Sequence, residues 1–318
     1  MSTAPKGRVV VLAGGLSPER DVSIRSGRRV ADALRVAGVD VDVLDVDAHL
    51  LAALSGDHPA CVVPLLHGAP GEDGAIRDVL VALGLPFVGS GPAACRQAFD
   101  KPIASSLVAA AGVAVPGSVA LPHATFRELG AAAVLDAVVE RLGLPLMVKP
   151  TRGGSSLGAT VVRLAADLPA AMVAAYAYND IALIESFVSG VEVAVSVVDD
   201  ADGPRALPVV EVAPDGGFYD YGARYTAGAT EFFTPARLAD DVLAACAATA
   251  VTVHRELGLR DWSRSDLIVD ASGTPWFLEV NVAPGMTETS TYPQAVLAAG
   301  LDLGELTASL VALAIARG

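Results

Sequence analysis

Arg264 to Gly285 reads RSDLIVDASGTPWFLEVNVAPG, and the alternation within it decides how the chain is interpreted. Two runs rich in apolar and β-branched residues, Ser265–Val269 and Trp276–Val280, flank the turn-forming cluster Asp270–Thr274, so the segment is expected to be an antiparallel hairpin. With the turn centred near Ser272 and Gly273, Asp266 falls opposite Glu279. Side chains alternate along a strand, which puts Asp266, Ile268 and Asp270 on one face, and Phe277, Glu279 and Asn281 on the matching face of the partner. Two carboxylates opposed across a ladder repel each other, and a divalent cation between them removes the repulsion. Oxygen ligands from Asp266, Glu279 and Asn281, completed by phosphate, suit Mg²⁺ better than zinc. The flanking residues are too apolar for a solvated surface ribbon.

The 318 residues are enough for two or three packed units. Apolar residues make up 53% of the chain, yet no stretch of roughly 18 or more runs without polar or charged interruptions, which predicts a cytoplasmic protein with no membrane span and no secretory leader. A net charge of −14 argues against a nucleic-acid partner. Cys61, Cys95 and Cys246 have neither paired nor metal-type spacing and read as small buried hydrophobes. Lysine occurs three times, at Lys6, Lys101 and Lys149, against nineteen arginines. A chain that uses arginine almost everywhere has kept lysine at two internal positions where a compact ammonium fits and a planar guanidinium does not, so Lys101 and Lys149 are functional candidates.

In chain order, Arg8–Ala13 is a buried-strand signal that runs through Gly14 and Gly15 into a helix from about Asp21, the opening of an α/β unit. Strands over Val41–Leu44, Cys61–Leu66 and Pro86–Val88, with a helix over Asp73–Leu83, complete a small open parallel sheet. Ligands of such sheets sit at the carboxyl ends of the strands, where Glu19, Ser23, His67 and the Gly71–Gly74 turn lie. For His67, beside Gly68 in a turn-rich loop, capping or hydrogen bonding competes with a role at the substrate. Val88–Ala94 nearly spells a dinucleotide fingerprint, but no acid-ended strand follows about twenty residues later, which argues against an oxidoreductase.

From Lys101 a second unit begins, with helices over Ile103–Ala111 and Glu128–Leu142 and a strand over Gly117–Leu121. Lys149 ends a further strand, and the Gly153–Gly158 loop follows with Ser155 and Ser156 in it. An ammonium next to flexible backbone N–H donors is suited to a polyphosphate. Glu185 and Glu192 flank a short loop at strand edges, where acids can accept hydrogen bonds from ribose hydroxyls. Asp215–Arg237, dense in Gly, Tyr and Phe and without periodicity, reads as a long loop acting as a lid. A long alanine-rich helix over Leu238–Leu257, the hairpin, and two closing helices follow.

Together these residues resemble the nucleotide and magnesium sites of the ATP-grasp fold. The N-terminal stretch Gly14–Ser23, His67 with Gly71–Gly74, Phe218–Tyr221 and Pro284–Thr287, in that order from about Arg8 to the C-terminus, resemble more narrowly the D-alanine–D-alanine ligases. The resemblance implies an α/β chain with an N-terminal open parallel sheet over residues 1–100 and a two-part ATP-grasp domain divided into 101–185 and 186–318. It also implies a peptidoglycan-precursor enzyme that uses ATP to phosphorylate the carboxylate of one D-alanine. The amine of a second then attacks the acyl phosphate, giving dipeptide, ADP and phosphate.

On this likeness Lys101, Lys149, Ser156 and Arg224 hold phosphates, while Glu185 and Glu192 hold the adenine side and ribose. Asp266, Glu279 and Asn281 carry two Mg²⁺ ions, for which Mn²⁺ can substitute. Glu19 pairs with the first substrate's ammonium, Ser155 and Tyr225 hydrogen-bond with Glu19 and close the lid, and Arg264 stabilises the oxyanion of the tetrahedral intermediate. His67 and Ser290 serve the substrate, Ser290 receiving the second carboxylate, and the family implies a homodimer. The chain departs from the family at Arg224, where lysine is usual, and at Thr291, where leucine is usual, with Glu288 three residues earlier. The alternative is another ATP-grasp D-amino-acid dipeptide or depsipeptide ligase with a different second substrate.

Overall fold

The computed structural model describes residues 7–215 and 228–318. Strand β1 (Val9–Leu12) lies between β2 (Val41–Leu44) and β3 (Cys61–Pro64), all parallel, in the order β2-β1-β3. Every residue of β1 is buried, as a strand covered on both faces requires. The strand expected over Pro86–Val88 shrinks to one parallel bridge between Val62 and Phe87. Pro86 has no N–H to donate, and Gly89 turns the chain away at φ 104°. The helix Arg20–Val36 and the last helix, Leu303–Arg317, cover this sheet, so Val30, Leu34, Leu310 and Val311 share a core with Val9, Val11 and Val63.

Two antiparallel sheets follow. β4 (Ser118–Pro122), β5 (Leu146–Pro150), β6 (Thr160–Val162) and β7 (Ile181–Ser186) form the first, in the order β4-β7-β5-β6, with the helix Leu168–Tyr176 packing Leu168 and Met172 on Leu146, Val148 and Ile184. β8 (Val191–Asp200), β9 (Gly203–Ala206), β10 (Val210–Pro214), β11 (Thr230–Phe233), β12 (Trp262–Val269) and β13 (Pro275–Asn281) form the second, in the order β11-β10-β8-β12-β13 with β9 also on β8. The helix Asp240–Glu256 seals it through Cys246, Ala250 and Val253. The expected α/β architecture, a parallel N-terminal sheet followed by a two-part unit, is the one observed.

Three local expectations are corrected. The helix expected over Glu128–Leu142 is two helices, His123–Leu129 and Ala131–Leu142, because Gly130 between them takes φ 82°. Thr230–Phe233, expected within a loop, pairs with β10, as its β-branched and aromatic residues allow. On β13 a register shift next to Asp266 changes which residues share a face: Asp266 pairs with Glu279 but Leu267 pairs with Phe277, so Leu278 is the extra residue. Phe277 therefore joins Leu267 in the core rather than Glu279 on the polar face.

Cys61, Cys95 and Cys246 are buried free thiols, and burial pushes Cys61 up to about 12 and Cys246 up to about 11. Among the described residues no single helix is long and apolar enough to cross a membrane.

The loop from β7 to β8 passes so close to the hairpin that a Cβ at Gly190 would lie 2.0 Å from the Val269 carbonyl oxygen. Gly190→Ala is expected to lower unfolding free energy by about 1–3 kcal/mol. Gly56→Ala, where nothing lies within 4 Å, should stay within about 0.5 kcal/mol of the native value; denaturant midpoints measure both.

Candidate active site

Asp266 and Glu279 are paired residues on β12 and β13, as the hairpin pattern predicts. Each has a fixed basic neighbour. Arg264, two residues earlier on the same face of β12, donates from Nε at 2.7 Å and Nη2 at 2.8 Å to the two oxygens of Asp266. Lys101 Nζ lies 3.0 Å from Glu279 and donates to the Gly153 carbonyl at 2.7 Å. Lys101 opens a helix whose N-cap is Asp100, so this ammonium comes from an element outside the hairpin. On β5, Lys149 is diagonal to Glu185 on β7, and their charged atoms meet at 2.6 Å with both side chains largely buried.

A cavity of about 370 Å³ lies between the two antiparallel sheets. Lys101, Lys149, Ser156, Glu185, Glu192 and Glu279 line it, with Phe187, Ile268 and Leu278 as apolar walls. A second cavity of about 120 Å³ adjoins it and is lined by Glu19, His67, Glu72, Ser155, Arg264, Asn281 and Ser290. Asp266 and Glu192 line both. Every described residue to which the resemblance gives a role thus lines one cavity or the other. Tyr225 and Arg224, with most of the expected lid, lie outside the described residues.

The glycine and serine loop joins the two spaces. Gly153 takes φ 116°, and Ser155 and Ser156 take φ 55° and 56°, a region costly for side chains other than glycine and often held at functional sites. Ser155 Oγ donates to Glu19 Oε1, which ties the loop to the helix start on the parallel sheet. The Ser290 hydroxyl accepts from Thr287 N at 3.1 Å, and Ser290 precedes the helix Thr291–Ala298, whose first residue, Thr291, also lines the smaller cavity.

Asp266, Glu279 and Asn281 offer a metal oxygen atoms only, and among the described residues no group of three His, Cys, Asp or Glu side chains could hold a metal ion. That donor set fits a hard divalent cation that takes its remaining ligands from phosphate oxygens, and does not fit a closed all-protein site.

His67 is engaged at both ring nitrogens, Nδ1 with the Ala283 carbonyl and Nε2 with Ser26 Oγ, each at 3.1 Å. Ser26 Oγ also accepts from Met286 N, so the ring locks the end of β3 to the loop after β13. Hydrogen bonding of this kind is the reading that competed with a substrate role, and only ring carbons remain for a ligand. Ser23, expected at the active edge, is buried, accepting from Gly14 N and donating to the Leu65 carbonyl. Glu72 was not singled out among its glycines, where an acid reads as a turn residue. It faces the smaller cavity, and the carboxyl is pushed up to about 8 by burial and then by the charge of Glu19.

Comparison with known proteins decides the family. A family model described as D-ala D-ala ligase C-terminus matches residues 107–312. The chain belongs to the D-alanine–D-alanine ligase family. It is 40% identical over 311 residues to the D-alanine–D-alanine ligase of Bordetella petrii, covering 98% of this chain and 93% of that one. It is 39% identical over 309 residues to the ligase of Nitrosospira multiformis, covering 97% of each. Among solved structures, the VanG D-Ala:D-Ser ligase from Enterococcus faecalis superposes with a TM-score of 0.84 at 27% identity, covering 96% of this chain and 99% of that one. A D-alanine–D-alanine ligase from Bacillus anthracis gives 0.82 at 26%, covering 98% and 97%. The family's ATP-grasp architecture accounts for the cleft between two antiparallel sheets.

Burial, with a smaller contribution from the charge of Arg264, lowers the His67 pKa from 6.5 to about 4. The unfolded chain therefore binds more protons than the folded one between those values, and stability should fall as pH drops from about 6.5 toward 4 by on the order of 2–3 kcal/mol. In His67→Gln the unfolding free energy, measured against pH, should lose this part of the acid limb.

Proposed function

We propose that this chain ligates two molecules of D-alanine to D-alanyl-D-alanine with ATP, through an acyl phosphate, for peptidoglycan precursor synthesis. The observation that carries the reading is the meeting of the two cavities at Asp266: a nucleotide-sized cleft opens beside a small polar pocket, so a carboxylate in the pocket can face a γ-phosphate in the cleft. Glu185 and Glu192 take the adenine side and ribose, and Lys101, Lys149, Ser156 and Arg224 the phosphates. Glu19, held by Ser155, takes the ammonium of the first D-alanine, and Ser290 the carboxylate of the second. Arg264, which is held by two bonds to Asp266, stabilises negative charge on the carbonyl oxygen after amine attack.

Asp266, Glu279 and Asn281 would hold two Mg²⁺ ions, which supply charge neutralisation for the transferring phosphate, with Mn²⁺ able to replace them. Tyr225 closes over Glu19 and Ser155 from the lid. His67 supports the second subsite by holding its walls. The same reading divides the chain near residues 100 and 185 and includes a homodimer in the cytoplasm. A second reading, a D-amino-acid dipeptide or depsipeptide ligase with a different second substrate, has one observation in its favour: Thr291, where the family usually has leucine, lines the smaller cavity.

Phosphate release measured with ATP, Mg²⁺ and D-alanine, L-alanine, D-serine or D-lactate, with chromatography of the products, tests both readings. D-alanine alone should give D-alanyl-D-alanine. D-serine or D-lactate taken in preference as second substrate would move the assignment to the second reading, and no dipeptide from any would overturn both.

Asp266→Asn and Glu279→Gln remove charge but little volume, so each should lower kcat by on the order of 10²-fold or more while circular dichroism and thermal midpoint stay close to native. Lys149→Arg keeps the charge but should raise the KM for ATP and lower kcat, because the guanidinium must occupy space shaped for an ammonium. Steady-state kinetics over ATP concentration measures each.

A further inference from the structure

Ligation leaves one proton unaccounted for. The second amino acid arrives as an ammonium and must lose a proton before its nitrogen can attack. The groups bordering the smaller cavity are nearly all engaged: Glu19 by Ser155 and, on the proposed reading, by the first ammonium; Asp266 by both donors of Arg264; both nitrogens of His67 by Ala283 and Ser26. Glu192 borders the nucleotide cleft as well and is assigned to the ribose.

Glu72 is different. It closes the short helix Ala69–Glu72, and its Oε1 accepts the Gly68 N–H at 3.0 Å. Oε2 makes no hydrogen bond among the described residues, and the carboxyl borders the same cavity as Arg264 and Ser290. Gly68 lies between two acids: its N–H serves Glu72, and a Cβ there would lie 2.8 Å from Glu19 Oε2. A side chain at Gly68, held at φ 78°, would crowd Glu19 and Ser17.

We propose that Glu72 accepts the proton of the second substrate's ammonium. This rests on the ligase reading above and adds a group to it. The N–H proton passes to Oε2 of Glu72. The freed lone pair then attacks the carbonyl carbon of the acyl phosphate, and the carbonyl π electrons move to the oxygen facing Arg264. As the carbonyl re-forms, its bond to the phosphate oxygen breaks, the phosphate leaves with that electron pair and takes the second N–H proton, and Glu72 releases its proton to solvent as product departs.

Burial and the surrounding charges make the acceptor conditional. Burial, then Glu19 at the start of the helix Arg20–Val36 and Glu279 on β13, favour its protonated form, while the Gly68 N–H and Arg264 on β12 favour the carboxylate; burial lowers the pKa of His67, which borders the same cavity. With a carboxyl raised to about 8, proton exchange is well matched to near-neutral pH. An ammonium seated on Glu19 offsets that carboxylate's charge, which shifts Glu72 toward its carboxylate form while the effect of burial stays.

The test compares native enzyme, Glu72→Gln and Glu72→Asp in dipeptide formation from pH 6 to 10, together with positional isotope exchange in ATP, which reads acyl phosphate formation alone. Glu72→Gln should lose about 10²-fold or more in dipeptide kcat near pH 7.5, the usual scale for a general base. It should keep isotope exchange and the KM for ATP, and recover as pH rises into the range where the substrate's own amino group ionises. Glu72→Asp should recover part of the rate; should Glu72→Gln fail to fold, an acid limb displaced in Glu72→Asp supports the proposal, and an undisplaced one overturns it. A native-like rate and profile in Glu72→Gln, a defect constant with pH, or equal loss of isotope exchange would also overturn it. A native enzyme that forms no dipeptide would instead remove the ligase reading, and this inference with it.

Discussion

The structure depends on one electrostatic constraint: β12 and β13 hold the carboxylates of Asp266 and Glu279 at paired positions of one ladder. Like charges placed so are destabilising unless something positive stands between or beside them. Arg264 comes from two residues along the same strand, and Lys101 from the start of a helix outside the sheet. Lys101 also binds the carbonyl of Gly153, so the hairpin, the helix and the glycine and serine loop are drawn to one place. Ser155 extends the chain of contacts to Glu19, the N-cap of the helix that covers the parallel sheet. The active cleft is thus held together by charges that require one another.

The Lys149–Glu185 pair belongs to the same pattern. Both side chains are largely buried, at 13% and 4% exposed, and taking charges out of water offsets much of their attraction. Removing one partner of such a pair typically costs on the order of 3–5 kcal/mol, while replacing both by apolar residues can be neutral. A buried ion pair on the wall of a nucleotide-sized cavity is therefore explained better by ligand binding than by stability. Glu19 and Glu72 on the other side face an analogous conflict without an ion pair as close, and on the proposed reading a substrate ammonium relieves it.

Much of this was legible in the chain. The pairing of Asp266 with Glu279 follows from side-chain alternation and turn position, because a strand has a period of two and the turn sets the register. The scarcity of lysine marked both cleft ammoniums, since few other positions compete for that residue. The face of Phe277 was not legible: one extra residue at Leu278 reverses the alternation, and Leu is as acceptable in a regular strand as in a bulge. β11 was hidden because the preceding residues are rich in glycine and tyrosine, so the period-two signal over Thr230–Phe233 is short. Ser23 and His67 stand beside the expected active edge in sequence, but whether a polar side chain turns to ligand or to backbone is settled by tertiary partners such as Leu65 and Ala283.

The central claim is that the chain activates a carboxylate as an acyl phosphate before the amine attacks it. D-alanine labelled with ¹⁸O in both carboxylate oxygens, incubated with ATP, Mg²⁺ and the enzyme, tests this directly by mass spectrometry of the phosphate released. In the proposed reaction the attacking carboxylate oxygen stays with the phosphorus when the amine displaces it, so each phosphate formed should carry one ¹⁸O. Phosphate released without label, alongside dipeptide formation, would contradict the account.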